Sequence, residues 1–243
     1  MKKDYSVIVP VYNSERSLNE LTERLKNVFL KLNKSVEIIF VDDYSTDDSW
    51  TVLKSIKAEN PGLVSCIRLS QNYGQHKATL CGFQHSDANF IITIDDDLQH
   101  PPEEISKLIS EMESSGSDVV YGIADNKHPV VRKTGSRFFK YFSGKLKLGY
   151  GKGSAFRLMH AALAQRISEQ LSYSVFIEQL LYRNAANVSY VQVSHHARKY
   201  GSSSYSAKTI LALTVKLILF NALSSKIFKQ QNRQQHFLIS ELA

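Results

Sequence analysis

The sequence predicts an α/β protein whose mostly parallel sheet carries helices on both faces. Three observations lead there. Short apolar runs alternate with helical stretches through the first half of the chain, the runs are apolar throughout rather than at every second residue, and polar clusters follow directly after them. A strand buried on both faces reads as a continuous apolar run, and such strands alternating with helices describe a parallel sheet covered on each side.

The elements follow in order. Val7-Ile8-Val9-Pro10-Val11 is the first strand, and Leu18, Leu21, Leu25, Val28, Phe29 and Leu32 line one face of the helix after it, with Ser14 placed to cap it. Residues 36–41 give the second strand, and Trp50, Leu53 and Ile56 mark the second helix. Residues 63–69 and 78–83 repeat the pair, and residues 90–94 are the fourth strand. Pro101-Pro102 start a helix whose apolar face is Ile105, Leu108, Ile109 and Met112, and Val119-Val120-Tyr121 is the fifth strand. The second half is less regular. A basic helical stretch at 133–147 leads through Gly149-Tyr150-Gly151-Lys152-Gly153 to a strand at 155–159, then helices, a strand at 188–193 and a loop at 195–205. An apolar 14-residue helix at 210–223 follows, short of the roughly 20 residues that a membrane span needs. With Lys208, Lys216, Lys226 and Lys229 around it, it suits either an amphipathic helix on a membrane surface or a packed core helix. The tail after Lys229 is polar and reads as poorly ordered.

At 243 residues and 43% hydrophobic composition, the chain can bury one large core or two small ones. Its two cysteines, Cys66 and Cys81, fall in a strand and a helix and read as core thiols, which fits a reducing, cytoplasmic compartment. The short apolar run after Met1 is no signal peptide. Residues 1–125 carry 20 acids against 12 Lys and Arg, whereas residues 126–243 carry 3 against 18. No acid occurs in 126–168. Such a basic half suits an anionic membrane surface or a phosphorylated partner. Nucleic acid is disfavoured because no motif for it is present, and a homo-oligomer stays open.

Ligands of parallel α/β sheets bind beyond the C-terminal strand ends, and there this chain places Tyr12-Asn13, Asp42-Asp43, residues 70–73 and residues 95–99. Asp95-Asp96-Asp97-Leu98-Gln99 is the strongest signal. Three adjacent carboxylates repel one another, and a helix cap before Pro101 would need only one. Asp95 and Asp97, two apart, can converge on one hard cation while Asp96 points elsewhere; carboxylate and amide oxygens suit Mg²⁺ or Mn²⁺. Asp43 is placed to accept hydrogen bonds from a base or ribose, and Asp47 or Asp48 to cap the following helix.

These motifs resemble a known family. Pro10-Val11-Tyr12-Asn13, Val41-Asp42-Asp43-Tyr44-Ser45-Thr46-Asp47 and Asp95-Asp96-Asp97-Leu98-Gln99-His100-Pro101-Pro102-Glu103, in this order, are similar to glycosyltransferase family 2. Leu69-Ser70-Gln71-Asn72-Tyr73-Gly74-Gln75-His76 and residues 195–206 resemble its polyprenyl-phosphate branch, which includes dolichyl-phosphate mannose synthases and undecaprenyl-phosphate formamido-arabinose transferases. The resemblance implies a GT-A, Rossmann-like fold in one continuous domain, with a nucleotide-sugar half at 1–125 and an acceptor-binding, membrane-proximal half at 126–243. It implies inversion at the anomeric carbon, with sugar passing from a nucleotide diphosphate sugar to polyprenyl phosphate or a lipid-linked saccharide in cell-envelope polysaccharide synthesis. The enzyme would then sit on the inner face of the cell membrane.

By motif match, Pro10, Tyr12 and Asp43 would hold the nucleoside. Asp95, Asp97 and Gln99 would hold the metal and diphosphate, with Asp96 beside them. Arg198 would neutralise phosphate charge, a task that guanidinium geometry fits. Arg132, Arg137 and Tyr205 would face the acceptor. Two departures stand out: Ser204 occupies a position where the branch usually has Lys, and many bacterial members continue into transmembrane helices that this chain lacks. They keep a second reading open, in which a sugar hydroxyl attacks and Glu178 removes its proton; the alternative for Glu178 is a surface or paired acid. A non-catalytic nucleotide-sugar-binding subunit is a third reading, opposed by the intact Asp95, Asp97 and Gln99. A nucleotidyltransferase is disfavoured because no Gly-rich phosphate cradle follows the first strand.

Overall fold

The computed structural model describes residues 2–124, 154–169, 177–200 and 237–243. The elements are β1 (Lys3–Val11), α1 (Leu18–Leu32), β2 (Val36–Asp42), α2 (Ser49–Glu59), β3 (Val64–Leu69), α3 (Gln75–His85), β4 (Ala88–Thr93), a 3₁₀ turn (Pro102–Glu104), α4 (Ile105–Ser115) and β5 (Val119–Ala124). There follow β6 (Arg157–His160), α5 (Ala161–Glu169), α6 (Ile177–Asn184), β7 (Val188–Val193) and β8 (Ile239–Leu242). The expected helix at 210–223 and the basic stretch at 133–147 lie outside the described residues.

The strands form one sheet in the order β7-β5-β6-β4-β1-β2-β3-β8. Its side chains alternate between two cores. Val7, Val9, Ile38 and Phe40 join α1, α2 and α4 on one face. Ile8, Ile39 and Val41 join α3, α5 and α6 on the other. Because both faces are covered, the central strands must be apolar at every position, which is the pattern the sequence carries. Cys66 and Cys81 are buried free thiols.

The sheet departs from all-parallel at two places. β6 runs antiparallel to both β4 and β5. β8 adds an antiparallel edge strand to β3. The second is a correction: part of the tail expected to be poorly ordered is a strand, held by Ser70 N–H to Leu238 O at 2.8 Å and by reciprocal bonds between Cys66 and Ala243 at 2.8 and 2.9 Å. β3 would otherwise leave a row of unpaired backbone groups, and an edge accepts any strand that supplies them.

One cap differs from expectation. α1 begins at Leu18 with Ser17 at the N-cap position. Ser14 lies further back, its N–H donating to Ser49 Oγ at 2.8 Å and its hydroxyl to Tyr12 O at 3.2 Å, so it ties the turn after β1 to the start of α2 instead of capping α1. At α2, Asp48 holds the N-cap position without a side-chain cap bond, and Asp47, one residue earlier, accepts the Ser49 N–H through Oδ1 at 3.0 Å.

Gly82 of α3 packs directly on β1, and a Cβ there would collide with Ile8 Cγ2. Ala normally stabilises a helix over Gly by about 1 kcal/mol, whereas overpacking a core costs about 1–3 kcal/mol. Gly82→Ala should therefore lower the unfolding free energy by up to about 2 kcal/mol net, read as a lower urea midpoint. A rise in the midpoint would show that α3 does not sit this close to β1.

Candidate functional site

Parallel register gathers three turns at the C-terminal end of the central strands. Pro10 and Val11 pair with Val41 and Asp42, and Ile8 pairs with Thr93, so the chain leaves β1, β2 and β4 side by side. Three residues without a glycine's freedom take the left-handed conformation just past these strand ends: Asn13 (φ 54°), Tyr44 (φ 63°) and Leu98 (φ 59°). Backbone strain of this kind persists where surroundings over-determine it, commonly at functional sites.

The turns are knitted to each other. Asn13 N–H donates to Ser45 Oγ at 3.0 Å, and Thr46 N–H donates to Asn13 Oδ1 at 2.8 Å. Asp43 is buried and accepts the N–H groups of Tyr73 and Gly74, both at 2.7 Å, which fixes the start of α3. Burial nonetheless pushes its pKa up to about 6, against the pull of those two bonds. Asp42, fully buried, is also raised by burial; its Oδ2 lies 3.1 Å from Arg68 Nε. Arg68 was not singled out from sequence.

The three carboxylates after β4 are given three different partners. Asp95 Oδ1 accepts from Gln75 Nε2 at 2.6 Å. Asp96 Oδ2 accepts the Tyr12 N–H at 3.1 Å, so it does point away from its neighbours, toward β1. Asp97 Oδ2 pairs with Arg198 Nη2 at 2.9 Å, and its Oδ1 accepts Gln99 N–H at 3.0 Å. Burial, then the charges of Asp97 and Asp96, push Asp95 up to about 7, and burial pushes Asp96 up to about 6. Protons thus compete for a site crowded with negative charge, and a hard cation is the natural alternative occupant. Among the described residues no group of three His, Cys, Asp or Glu is placed to hold a metal ion. Asp95, Asp97 and the Gln99 amide are the oxygen donors that could hold Mg²⁺ or Mn²⁺, with water and phosphate oxygens completing the shell.

The loop after β7 seals this corner. His196 N–H donates to Gln99 O at 2.8 Å, and Gln99 Nε2 donates to His196 O at 3.3 Å. His195 stands edge-on to His100 at 4.9 Å. Both histidines therefore act as loop residues. Lys199 Nζ bonds Glu20 at 2.6 Å on α1, so the Arg198 loop is pinned at both ends of its described length.

Beneath Asp95 a cleft of about 240 Å³ opens between α3 and α6, lined by Pro10, Gln75, His76, Thr79, Thr93, Ile94, Asp95, Ala155, Arg157 and Glu178. The antiparallel reversal at β6 places Arg157, at its first residue, opposite Thr93 and Tyr121. Its guanidinium is buried and contacts Glu178 Oε1 at 3.1 Å, while His76 Nδ1 is 3.9 Å from Glu178 Oε2. Burial alone would raise Glu178, but His76 and Arg157 outweigh it and hold the carboxyl below its ordinary value. His76 itself is lowered by burial, against the pull of Glu178. Sequence reasoning missed Arg157, Gln75 and His76. The first was signalled by a lone cation inside the apolar run Phe156-Arg157-Leu158-Met159, and the other two sit in the motif quoted above but received no role.

The structure thus brings together Pro10, Tyr12, Asp43, Asp95, Asp96, Asp97, Gln99, Arg198 and Glu178 along one sheet edge. Arg132, Arg137 and Tyr205 lie outside the described residues.

Residues 6–169 match the model of Glycosyl transferase family 2. The undecaprenyl-phosphate 4-deoxy-4-formamido-L-arabinose transferase of Pseudomonas aeruginosa is 35% identical over 218 residues, covering 88% of this chain. The chain spans 63% of that relative's length. Among solved structures, the glucosyl-3-phosphoglycerate synthase of Mycobacterium tuberculosis, in complex with Mn²⁺, uridine diphosphate and phosphoglyceric acid, superposes with a TM-score of 0.65 at 15% identity. That likeness covers 95% of this chain and 80% of the other. TarS (1–349) of S. aureus with UDP-GlcNAc gives a TM-score of 0.56 at 21% identity, covering 92% and 68%. These likenesses show the GT-A α/β fold.

The Arg157–Glu178 pair yields a prediction. Removing one member of a buried ion pair typically costs about 3–5 kcal/mol; Glu178 keeps some exposure, so Arg157→Leu should cost about 3 kcal/mol by urea unfolding at neutral pH. Because Glu178 has a depressed pKa, the pair's contribution is present above the unfolded carboxyl value and fades as pH falls through the folded one. The difference between wild type and Arg157→Leu should shrink accordingly, and Arg157→Leu/Glu178→Leu should recover part of the loss. A pH-independent deficit would contradict the pairing.

Proposed function

The chain belongs to glycosyl transferase family 2, and we propose that it moves a sugar from a nucleotide diphosphate sugar to polyprenyl phosphate, with inversion at the anomeric carbon, in cell-envelope polysaccharide synthesis. The observation that carries the donor reading is the grouping of Asp95, Asp97, Gln99 and Arg198 beside Asp43 and Tyr12. In this reading Pro10, Tyr12 and Asp43 hold the nucleoside. Asp95, Asp97 and Gln99 hold Mg²⁺ or Mn²⁺, which when bound supplies Lewis-acid stabilisation of the diphosphate. Arg198 exchanges its contact with Asp97 for the phosphates, matching their oxygens with its planar fork.

Glu178 bears on the acceptor. An anionic phosphate oxygen can attack the anomeric carbon directly: the new C–O bond forms as the sugar's bond to the diphosphate breaks, and the electron pair leaves with the nucleoside diphosphate. No proton need be removed. A sugar hydroxyl requires a base, and Glu178, held between Arg157 and His76 with a lowered pKa, has little affinity for a proton. We therefore assign Glu178 to holding Arg157 and His76 at the floor of the cleft. A lipid-linked saccharide hydroxyl is the second reading, favoured only by the position of Glu178 in the cleft beside Asp95.

Residues 1–125 form the donor half and residues 126–243 the acceptor half in this account. Among the described residues no helix is long and apolar enough to cross a membrane. The basic residues of 126–168, with Arg132 and Arg137, and Tyr205 are assigned to the acceptor and to an anionic membrane surface on the cytoplasmic side.

Two measurements test the reading. Asp97→Ala should reduce transfer at least about 10³-fold, as expected when several kcal/mol of charge stabilisation are lost, while the melting temperature stays within a few degrees of wild type. Full wild-type turnover in excess chelator would refute metal dependence. For the acceptor, single-turnover transfer to undecaprenyl phosphate by Glu178→Gln should fall less than about tenfold; a loss of about 10²–10⁴-fold with unchanged melting would assign Glu178 as a general base and favour the hydroxyl acceptor.

A further inference from the structure

We infer that Tyr44 is an aromatic wall of the donor's nucleoside pocket, held in place by a stack anchored on Glu241 of β8; the inference rests on the nucleotide-donor reading above. Tyr44 follows Asp43 directly at the end of β2 and adopts φ 63°, a conformation natural to Gly and costly to an aromatic residue. The residue remains 46% exposed. The strain therefore earns little packing inside the protein, and a Tyr in that position is explained if its ring face serves a ligand.

The surroundings over-determine the ring. The Arg68 guanidinium carbon lies 5.4 Å from the centroid of Tyr44 and 5.7 Å from that of Trp50. Arg68 is fixed in turn by Asp42 at 3.1 Å and by donation from Nη2 to Ser45 O at 3.0 Å. Trp50 is fixed because its indole Nε1–H donates to Glu241 Oε2 at 3.0 Å. Glu241 is opposite Arg68 in the β3–β8 register, so the added edge strand delivers the last member of the stack. The Tyr44 turn is bonded through Ser45 and Thr46 to Asn13, next to Tyr12. One side of the site thus carries a rigid, exposed π face beside a buried carboxylate. The ligand chemistry it fits is a nucleobase: every base offers a π face, and a carboxylate accepts from base or ribose donors. Stacking a base on such a ring is worth about 5- to 150-fold in affinity.

The test compares wild type, Tyr44→Phe, Tyr44→Gly and Glu241→Leu, measuring calorimetric affinity for UDP and GDP and for inorganic pyrophosphate, all with Mn²⁺, together with melting temperature. Tyr44→Gly should melt no lower than wild type, because Gly relieves the left-handed strain. It should bind the preferred nucleoside diphosphate at least fivefold more weakly while its pyrophosphate affinity is unchanged. Tyr44→Phe should bind like wild type. Glu241→Leu should shift the emission of Trp50, the chain's single tryptophan, and weaken nucleotide binding in the same selective way. Wild-type nucleotide affinity in Tyr44→Gly would overturn the inference while leaving the donor reading intact, and so would equal losses for nucleotide and pyrophosphate. Failure of the wild type to bind either nucleoside diphosphate would overturn the donor reading and the wall with it.

Discussion

Three consecutive carboxylates at the end of β4 repel one another, and much of the site is arranged around that repulsion. Each acid is drawn to a separate partner: Asp95 to Gln75 on α3, Asp96 to the backbone of Tyr12 after β1, and Asp97 to Arg198 on the loop after β7. Three elements distant in sequence are tied to a single turn in this way. The residual cost shows in Asp95 and Asp96, whose pKa values stay high because burial and neighbouring charge outweigh these contacts. A fold seeking stability alone would replace such residues; retaining them makes sense if a cation and a diphosphate complete the charge balance.

The other half of the electrostatic design is the reversal at β6. An antiparallel strand between two parallel neighbours presents its first residue, not its last, to the ligand edge, and that residue is Arg157. Its charge offsets that of the partly buried Glu178, and Glu178 in turn lies 3.9 Å from His76. The cleft therefore has an acidic roof after β4 and a mixed-charge floor. A donor whose diphosphate lies at the roof would reach the floor with its sugar, which is where recognition of the sugar's polar groups would occur.

Much of this was legible in the sequence. The central strands announced themselves because a sheet covered on both faces needs apolar residues at every position, as in Val7-Ile8-Val9 and Phe90-Ile91-Ile92. Asp95-Asp96-Asp97 was legible because no folding requirement explains three adjacent acids. What escaped depended on contacts remote in sequence. Ile239–Leu242 is exposed along its length and follows a polar stretch, so its strand character comes from the unpaired edge of β3 more than from its own residues. Ser14 looked like a helix cap because its residue type fits, yet α1 begins only at Leu18 and the Ser14 hydroxyl donates to Tyr12 O. Arg157 carried a signal in its apolar strand, but the identity of its partner, Glu178, could be read only from the packing of α6.

The central claim is that the acidic strand ends bind a nucleoside diphosphate through a divalent ion rather than directly. Calorimetric titration of the full chain with UDP and GDP, in the presence of Mn²⁺ and again in excess chelator, tests it most directly. Affinity for the preferred nucleotide should be at least about tenfold tighter with the ion, because Asp95 and Asp97 would otherwise repel the diphosphate, and Asp95→Asn/Asp97→Asn should erase the difference. Equal affinity with and without the ion in the wild type would contradict it.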